Sequence, residues 1–121
     1  MNKWEFKEPY DVIICSEVLE HLPNYKKALE NLLSIANQRV IITVPWGLSY
    51  NVPGDPPIGH CNFWKDSEVI ENGLKFKSIQ EFQQLCRPYA SSIVKIRTKA
   101  RDVQMNQWDY LIVVDKNQCY E

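Results

Sequence analysis

Glu17, Glu20 and His21 stand at i, i+3 and i+4 in the run Tyr10-Asp-Val-Ile-Ile-Cys-Ser-Glu-Val-Leu-Glu-His-Leu-Pro23. In a helical turn that spacing projects all three side chains from one side, so two carboxylates and an imidazole can converge on one cation. This donor set suits magnesium, manganese or iron better than a thiolate-loving metal, and His60 can supply a fourth ligand. Imidazole titrates near neutrality, which also makes His21 and His60 candidate general bases. The structural alternative is that Glu17 and His21 serve hydrogen bonding around a loop and hold no ion.

The elements on either side decide where this cluster sits. Asp11 opens and Val12 to Cys15 form a short apolar strand, after which Ser16 can cap a brief helical turn that Pro23 stops. Acidic and imidazole groups therefore gather at the carboxyl end of a strand, where open α/β sheets bind their ligands. Asn24 is a helix cap candidate, and Tyr25, Ala28, Leu29, Leu32, Leu33 and Ala36 recur at helical spacing as one apolar stripe. Arg39 to Val44 is a β-branched run, the mark of a strand buried on both faces. With a helix between them, the two strands are expected to be parallel neighbours.

From Pro45 to Lys65, prolines 45, 53, 56 and 57 alternate with Trp46, Tyr50, Phe63 and Trp64. So long a loop predicts either a wall of the site or an aromatic plug at the sheet's end. Asn72-Gly73 between Val69-Ile70 and Leu74-Phe76 predicts a two-residue hairpin; a short helix closed by Gly73 is the alternative. Ser78-Ile-Gln-Glu81 is a capping box for a helix along Ile79, Phe82, Leu85 and Cys86 that Pro88 ends. Ile93 to Thr98 and Trp108 to Asp115 are the last strands. The polar link between them is too short for a crossover helix, so they are expected to be antiparallel.

The chain has 121 residues, 45% hydrophobic and 24% charged, with a net charge of −1. That composition describes one domain able to bury a core, though a chain of this size removes only about two-thirds of its unfolded surface from water. No overall basic field recruits nucleic acid or an anionic membrane. Lys95, Arg97, Lys99 and Arg101 share one face of an extended segment, expected to be a solvated strand face. No apolar run approaches the length of a membrane span, and Cys15, Cys61, Cys86 and Cys119 form no C-x-x-C pair. Reduced thiols in a cytoplasmic protein are expected, with Cys15 and Cys86 as core fillers and Cys61 near His60.

The run from Tyr10 to Pro23 resembles the fourth strand and following loop of the class I S-adenosylmethionine-dependent methyltransferases, whose pattern there ends S-E-V-L-E-H-L-P. The likeness continues through Asn24 to Ala36 as the next helix, Arg39-Val-Ile-Ile-Thr-Val-Pro45 as the fifth strand and His60-Cys-Asn-Phe-Trp64 as the loop beyond. It implies an α/β fold equivalent to the carboxyl-terminal half of a Rossmann-like methyltransferase: about four strands, two of them parallel and the last pair antiparallel, with flanking helices. It also implies that the backbone of Cys15, Ser16 and Glu17 borders the methionine and ribose parts of the cofactor, with Val18 or Leu19 on its adenine side. The E-x-x-E-H and His60 set resembles the metal site of small-RNA terminal 2′-O-methyltransferases, and E-x-x-E-H recurs in ubiquinone-biosynthesis O-methyltransferases. A bound magnesium or manganese would there activate a hydroxyl of a small molecule or RNA.

Methyltransferases of this class hold the methionine moiety on a glycine-rich loop after their first strand. Gly47, Gly54, Gly59 and Gly73 are the only glycines here, and none forms a G-x-G turn between strand and helix. The expected function is an O-directed methyltransferase lacking that loop in this chain. The alternatives are a non-catalytic, truncated module for assembly or binding, and a metal-dependent hydrolase. In the complete family fold the fourth strand pairs with the first, so Asp11 to Cys15 is expected to leave an edge open for a second copy or for the missing amino-terminal half.

Overall fold

The computed structural model describes residues 10–48, 59–99 and 106–119. Tyr50, the prolines at 53, 56 and 57, and Arg101 lie outside them. Strand β1 (Tyr10–Ser16) leads through a 3₁₀ turn (Leu19–His21) into helix α1 (Tyr25–Ile35) and strand β2 (Ala36–Pro45). Short strands β3 (Trp64–Lys65), β4 (Val69–Glu71) and β5 (Leu74–Ser78) precede helix α2 (Glu81–Leu85) and the long strands β6 (Tyr89–Lys99) and β7 (Asn106–Cys119). The main sheet runs β1-β2-β7-β6, and β3-β5-β4 form a small second sheet.

The expected pairings are present. β1 and β2 are parallel, with Ile13 opposite Val40 and Cys15 opposite Ile42. β6 and β7 are antiparallel, and β7 also pairs antiparallel with β2, so the sheet is mixed. The Asn72-Gly73 hairpin forms between β4 and β5. Both turn residues take the left-handed conformation, φ 52° and 77°, as a two-residue turn with right-handed strand twist demands.

Alternation along the strands sends Val40, Ile42 and Val44 of β2 and Tyr110, Ile112 and Val114 of β7 to one face, where Leu29 of α1 and Phe82 of α2 close the core. Cys15 and Cys86 are buried in that core, as their apolar neighbours required. The opposite face carries Val12, Ile14 and Val94, all exposed, with Ile14 at 70%. β1 and β6 are the two edges of the main sheet among the described residues. Lys95 and Arg97 are exposed on β6, as a solvated strand face requires.

Local corrections have physical causes. Asn24 makes no side-chain cap bond. Ser16 caps nothing either: its hydroxyl pairs with that of Thr43 at 2.8 Å, which ties β1 to β2. α1 passes directly into β2 at Ala36, whose φ and ψ are already extended, so the strand begins three residues before Arg39. The capping box forms only in part, because the Ser78 hydroxyl accepts from the Gln80 N–H at 3.2 Å and α2 starts at Glu81. Glu81 turns inward instead and accepts from the Tyr25 hydroxyl and the Trp64 indole N–H. Two buried aromatic donors outweigh one exposed cap, since an unsatisfied buried donor costs about 1–3 kcal/mol. Of the long loop's aromatics, Phe63 and Trp64 are buried and act as the plug, whereas Trp46 is half-buried.

Candidate functional site

β1 ends where Glu17 takes φ 56°, a left-handed conformation that is uncommon for a residue with a side chain. Its N–H still bonds the Thr43 carbonyl at 3.0 Å, so the reversal is locked to the end of β2. The chain then turns Leu19 and Glu20 inward, where Leu19 is fully buried and Glu20 is 2% exposed, while Ser16 and Val18 face outward. Of the residues expected to line a cofactor, Ser16 and Val18 therefore offer accessible side chains and Glu17 a half-buried one. Cys15 and Leu19 support the turn from the core.

The segment beyond the loop clamps this turn. Cys61 and Asn62 both donate backbone N–H groups to the Glu20 carbonyl, at 2.8 and 3.1 Å. The buried Asn62 amide donates to the carbonyls of Leu19 at 3.0 Å and Leu22 at 2.6 Å. His21 Nδ1 lies 3.1 Å from the Gly59 carbonyl. Gly59 itself has φ 85°, a conformation that glycine adopts without steric cost. These contacts bring the His60 ring edge-on to that of His21, with centroids 4.5 Å apart. Cys61, next to His60 in the chain, stands with its thiol 3.6 Å from the Glu20 carbonyl.

Glu20, His21 and His60 each offer a ligand atom, and these atoms lie within 4.8 Å of one another. His21 Nε2 is 3.8 Å from Glu20 Oε2. Glu20 Oε1 is buried with no hydrogen-bond partner, the state of a carboxylate oxygen with coordination capacity to spare. Burial and the neighbouring His21 hold the His60 imidazole below its usual pKa, which keeps it neutral as a ligand or base must be. Glu17 does not join this group. It belongs to a carboxylate cluster with Glu20 and Asp109, and burial, then the charges of Asp109 and Glu20, push its pKa up to about 9. Burial raises Glu20 as well.

Asp109 is the residue that motif reasoning missed. It lies on β7, far in sequence from the Glu/Glu/His run, and is 5% exposed. The signal available was a lone carboxylate inside the apolar strand Trp108-Asp-Tyr-Leu-Ile, since buried acids are rare unless engaged. The clamp residue Asn62 carried no signal beyond its place beside His60.

A family described as "Methyltransferase domain" matches residues 1–111. No curated protein sequence matches the chain. Among solved structures, the chain is similar to magnesium protoporphyrin IX methyltransferase from Synechocystis PCC 6803. With S-adenosylmethionine bound, that structure gives a TM-score of 0.51 at 16% identity over 91% of this chain and 41% of the other. With S-adenosylhomocysteine bound, the values are 0.55, 13%, 93% and 47%. The chain thus spans less than half the length of these relatives, and the likeness establishes the shared fold.

The carboxylate cluster predicts a pH profile. Glu17 holds its proton to about pH 9 when folded but releases it near 4.5 when unfolded. Between those values the unfolded state binds fewer protons, so stability falls as pH rises. His60 acts in the opposite sense, but only below its ordinary value of 6.5. From about pH 7 to 9 the melting temperature should therefore decline, and Glu17→Gln should flatten the decline. A flat wild-type profile, or an unchanged slope in the variant, contradicts this electrostatic reading.

Proposed function

The chain belongs to the methyltransferase-domain family, and on that premise we propose that the turn after β1 forms one wall of an S-adenosylmethionine site. The observation that carries this reading is the turn itself: a left-handed Glu17 at the carboxyl end of a parallel strand, with Ser16 and Val18 facing outward. The bound cofactors of the structurally similar Synechocystis enzyme support it. The backbone of Ser16 and Glu17 would border the methionine and ribose, and Val18 the adenine side, with Cys15 and Leu19 fixing the wall from beneath. A body carrying a glycine-rich turn has to supply the N–H groups for the cofactor's carboxylate, because no G-x-G turn occurs in this sequence. That body would pack on the β1 edge and the face of Val12 and Ile14, which are open among the described residues, either as an amino-terminal half-domain or as a second copy. The four separate thiols suit a cytoplasmic setting.

Oxygen is the proposed methyl acceptor, in a small molecule or in RNA. His21 and His60 stand together beside the wall, and a neutral imidazole can accept a hydroxyl proton as the methyl transfers. Glu20, His21 and His60, one carboxylate and two imidazoles, also fit a manganese or iron ion better than magnesium, given the orphaned Glu20 oxygen. Such an ion would lower the pKa of the acceptor hydroxyl.

A second reading, a non-catalytic module, rests on the absent G-x-G turn, and one experiment separates the two. Calorimetric titration of S-adenosylmethionine into the chain alone should show weak binding, because charge-assisted bonds worth about 1.5–3 kcal/mol each are missing. Adding a polypeptide with the glycine-rich half should restore binding at about micromolar levels, and sedimentation of the same samples reports whether a second copy fills the edge. Tight binding by a monomer contradicts the one-wall reading. No binding by the completed assembly contradicts cofactor use altogether.

The metal is tested separately. Manganese at tenfold above its Kd should stabilise the fold by about 1.4 kcal/mol, a rise of roughly 5 °C in melting temperature, with magnesium the weaker ligand. Glu20→Ala and His60→Ala should each remove that increment. An unchanged increment in both variants, or none at millimolar metal in the wild type, contradicts the ligand set.

A further inference from the structure

A neutral imidazole carries its proton on one ring nitrogen, so only the other is free to bind an ion or accept a proton. For His21 the fold decides which. Nδ1 lies 3.1 Å from the carbonyl oxygen of Gly59. A carbonyl oxygen has no proton to give, so a hydrogen bond at that position places the proton on Nδ1. The lone pair is then on Nε2, which stands 3.8 Å from Glu20 Oε2. That distance is too long for a hydrogen bond, and two acceptors held this close repel unless a cation lies between them. The ligand atoms of Glu20, His21 and His60 all lie within 4.8 Å of one another around the same point.

The Gly59 carbonyl is itself held, as a positioning group must be. Gly59 has φ 85°, which glycine adopts without steric cost. A Cβ there would stand 3.6 Å from His21 Nδ1, an ordinary contact, so backbone conformation and not space selects glycine. Just beyond it, the N–H groups of Cys61 and Asn62 bond the Glu20 carbonyl at 2.8 and 3.1 Å, which anchors the segment to the residue beside His21. Between these anchors His60 meets the His21 ring edge-on, with centroids 4.5 Å apart, and limits its rotation.

We propose that the Gly59 carbonyl is the positioning group for His21: it accepts from Nδ1–H and holds the ring in that tautomer, leaving Nε2 as the nitrogen that binds a transition ion or accepts a proton. This deepens the reading of His21 as a ligand or base and rests on it. The tautomer is the reverse of the one that predominates in free histidine. One short segment thus supplies a second imidazole through His60 and sets the first through Gly59.

The test is a long-range ¹H–¹⁵N correlation spectrum of the full chain, labelled at histidine, without metal or cofactor. At about pH 8.5, well above the usual imidazole range, His21 should show a protonated Nδ1 and a bare Nε2. A proton on Nε2, or rapid exchange between the two forms, would overturn the proposal. Zinc then serves as a diamagnetic probe that imidazole accepts. It should move the Nε2 signal and leave Nδ1 protonated, whereas loss of the Nδ1 proton to zinc would overturn the proposal. Silence at both nitrogens would count against the ion and still uphold the tautomer. Two substitutions separate positioning from packing. His21→Asn puts an amide N–H where Nδ1 stands, keeps the bond to Gly59 and loses the zinc response; its missing signals also assign those of His21. His21→Gln reaches toward the Nε2 position instead and should melt a few degrees below His21→Asn. Equal melting temperatures would mean that the Gly59 bond holds nothing in place, which also overturns the proposal.

Discussion

Asn62 holds the functional end of the molecule together. Its side-chain amide spans the carbonyls of Leu19 and Leu22, while its own N–H and that of Cys61 converge on the carbonyl of Glu20. The end of a 3₁₀ turn leaves carbonyls such as those of Glu20 and Leu22 without intrahelical partners, and the Leu19 carbonyl, which accepts from the Leu22 N–H at 3.2 Å, has a second lone pair. Asn62 and Glu20 are both buried, so water is a poor substitute. The clamp therefore fixes two segments about forty residues apart in sequence. It places His60 against His21 and keeps Glu20 facing inward, and the grouping of possible ligands follows from backbone satisfaction.

The same arrangement has an electrostatic cost. Glu17, Glu20 and Asp109 crowd at the end of the sheet, and three carboxylates sharing a poorly solvated space cannot all ionise freely. Glu17 resolves the conflict by keeping its proton, which it can share with the Glu20 and Asp109 carboxylates, while Glu20 Oε1 stays without a partner. Buried, incompletely paired acids are a feature of functional sites more than of optimised cores. The left-handed Glu17 fits the same pattern of local strain where a strand meets a site.

The legible parts of the fold were those whose signal is local. Val12 to Cys15 is a continuous apolar run, Val40 to Val44 is rich in β-branched residues, Asn72-Gly73 is a hairpin turn signal, and these elements formed as their residues dictate. Boundaries were less legible where polar residues extend a strand. Asn37 and Gln38 fall in β2 at a register shift between the Tyr10–Ala36 and Val12–Arg39 pairs, and Ala90 to Ser92 belong to β6 because pairing with β7 carries them into the sheet despite weak intrinsic preference. Two-residue β3 depends on its contact with β5 and has no signature of its own. In the site, Glu20 and His21 lie beside His60 through the Asn62 clamp and not through helical spacing. Glu17 went elsewhere, because a left-handed backbone at that residue breaks the helical geometry that the i, i+3, i+4 argument assumes. Asp109 reaches the cluster only through the pairing of β7 with β2.

The central claim is that the turn after β1 is a cofactor wall. Mapping amide shifts of the ¹⁵N-labelled chain during addition of millimolar S-adenosylhomocysteine tests it most directly. The account predicts perturbations centred on Ser16, Glu17, Val18 and Leu19, fading toward the far ends of β6 and β7. Perturbations confined to α1 and α2, or none at saturating solubility, would contradict it.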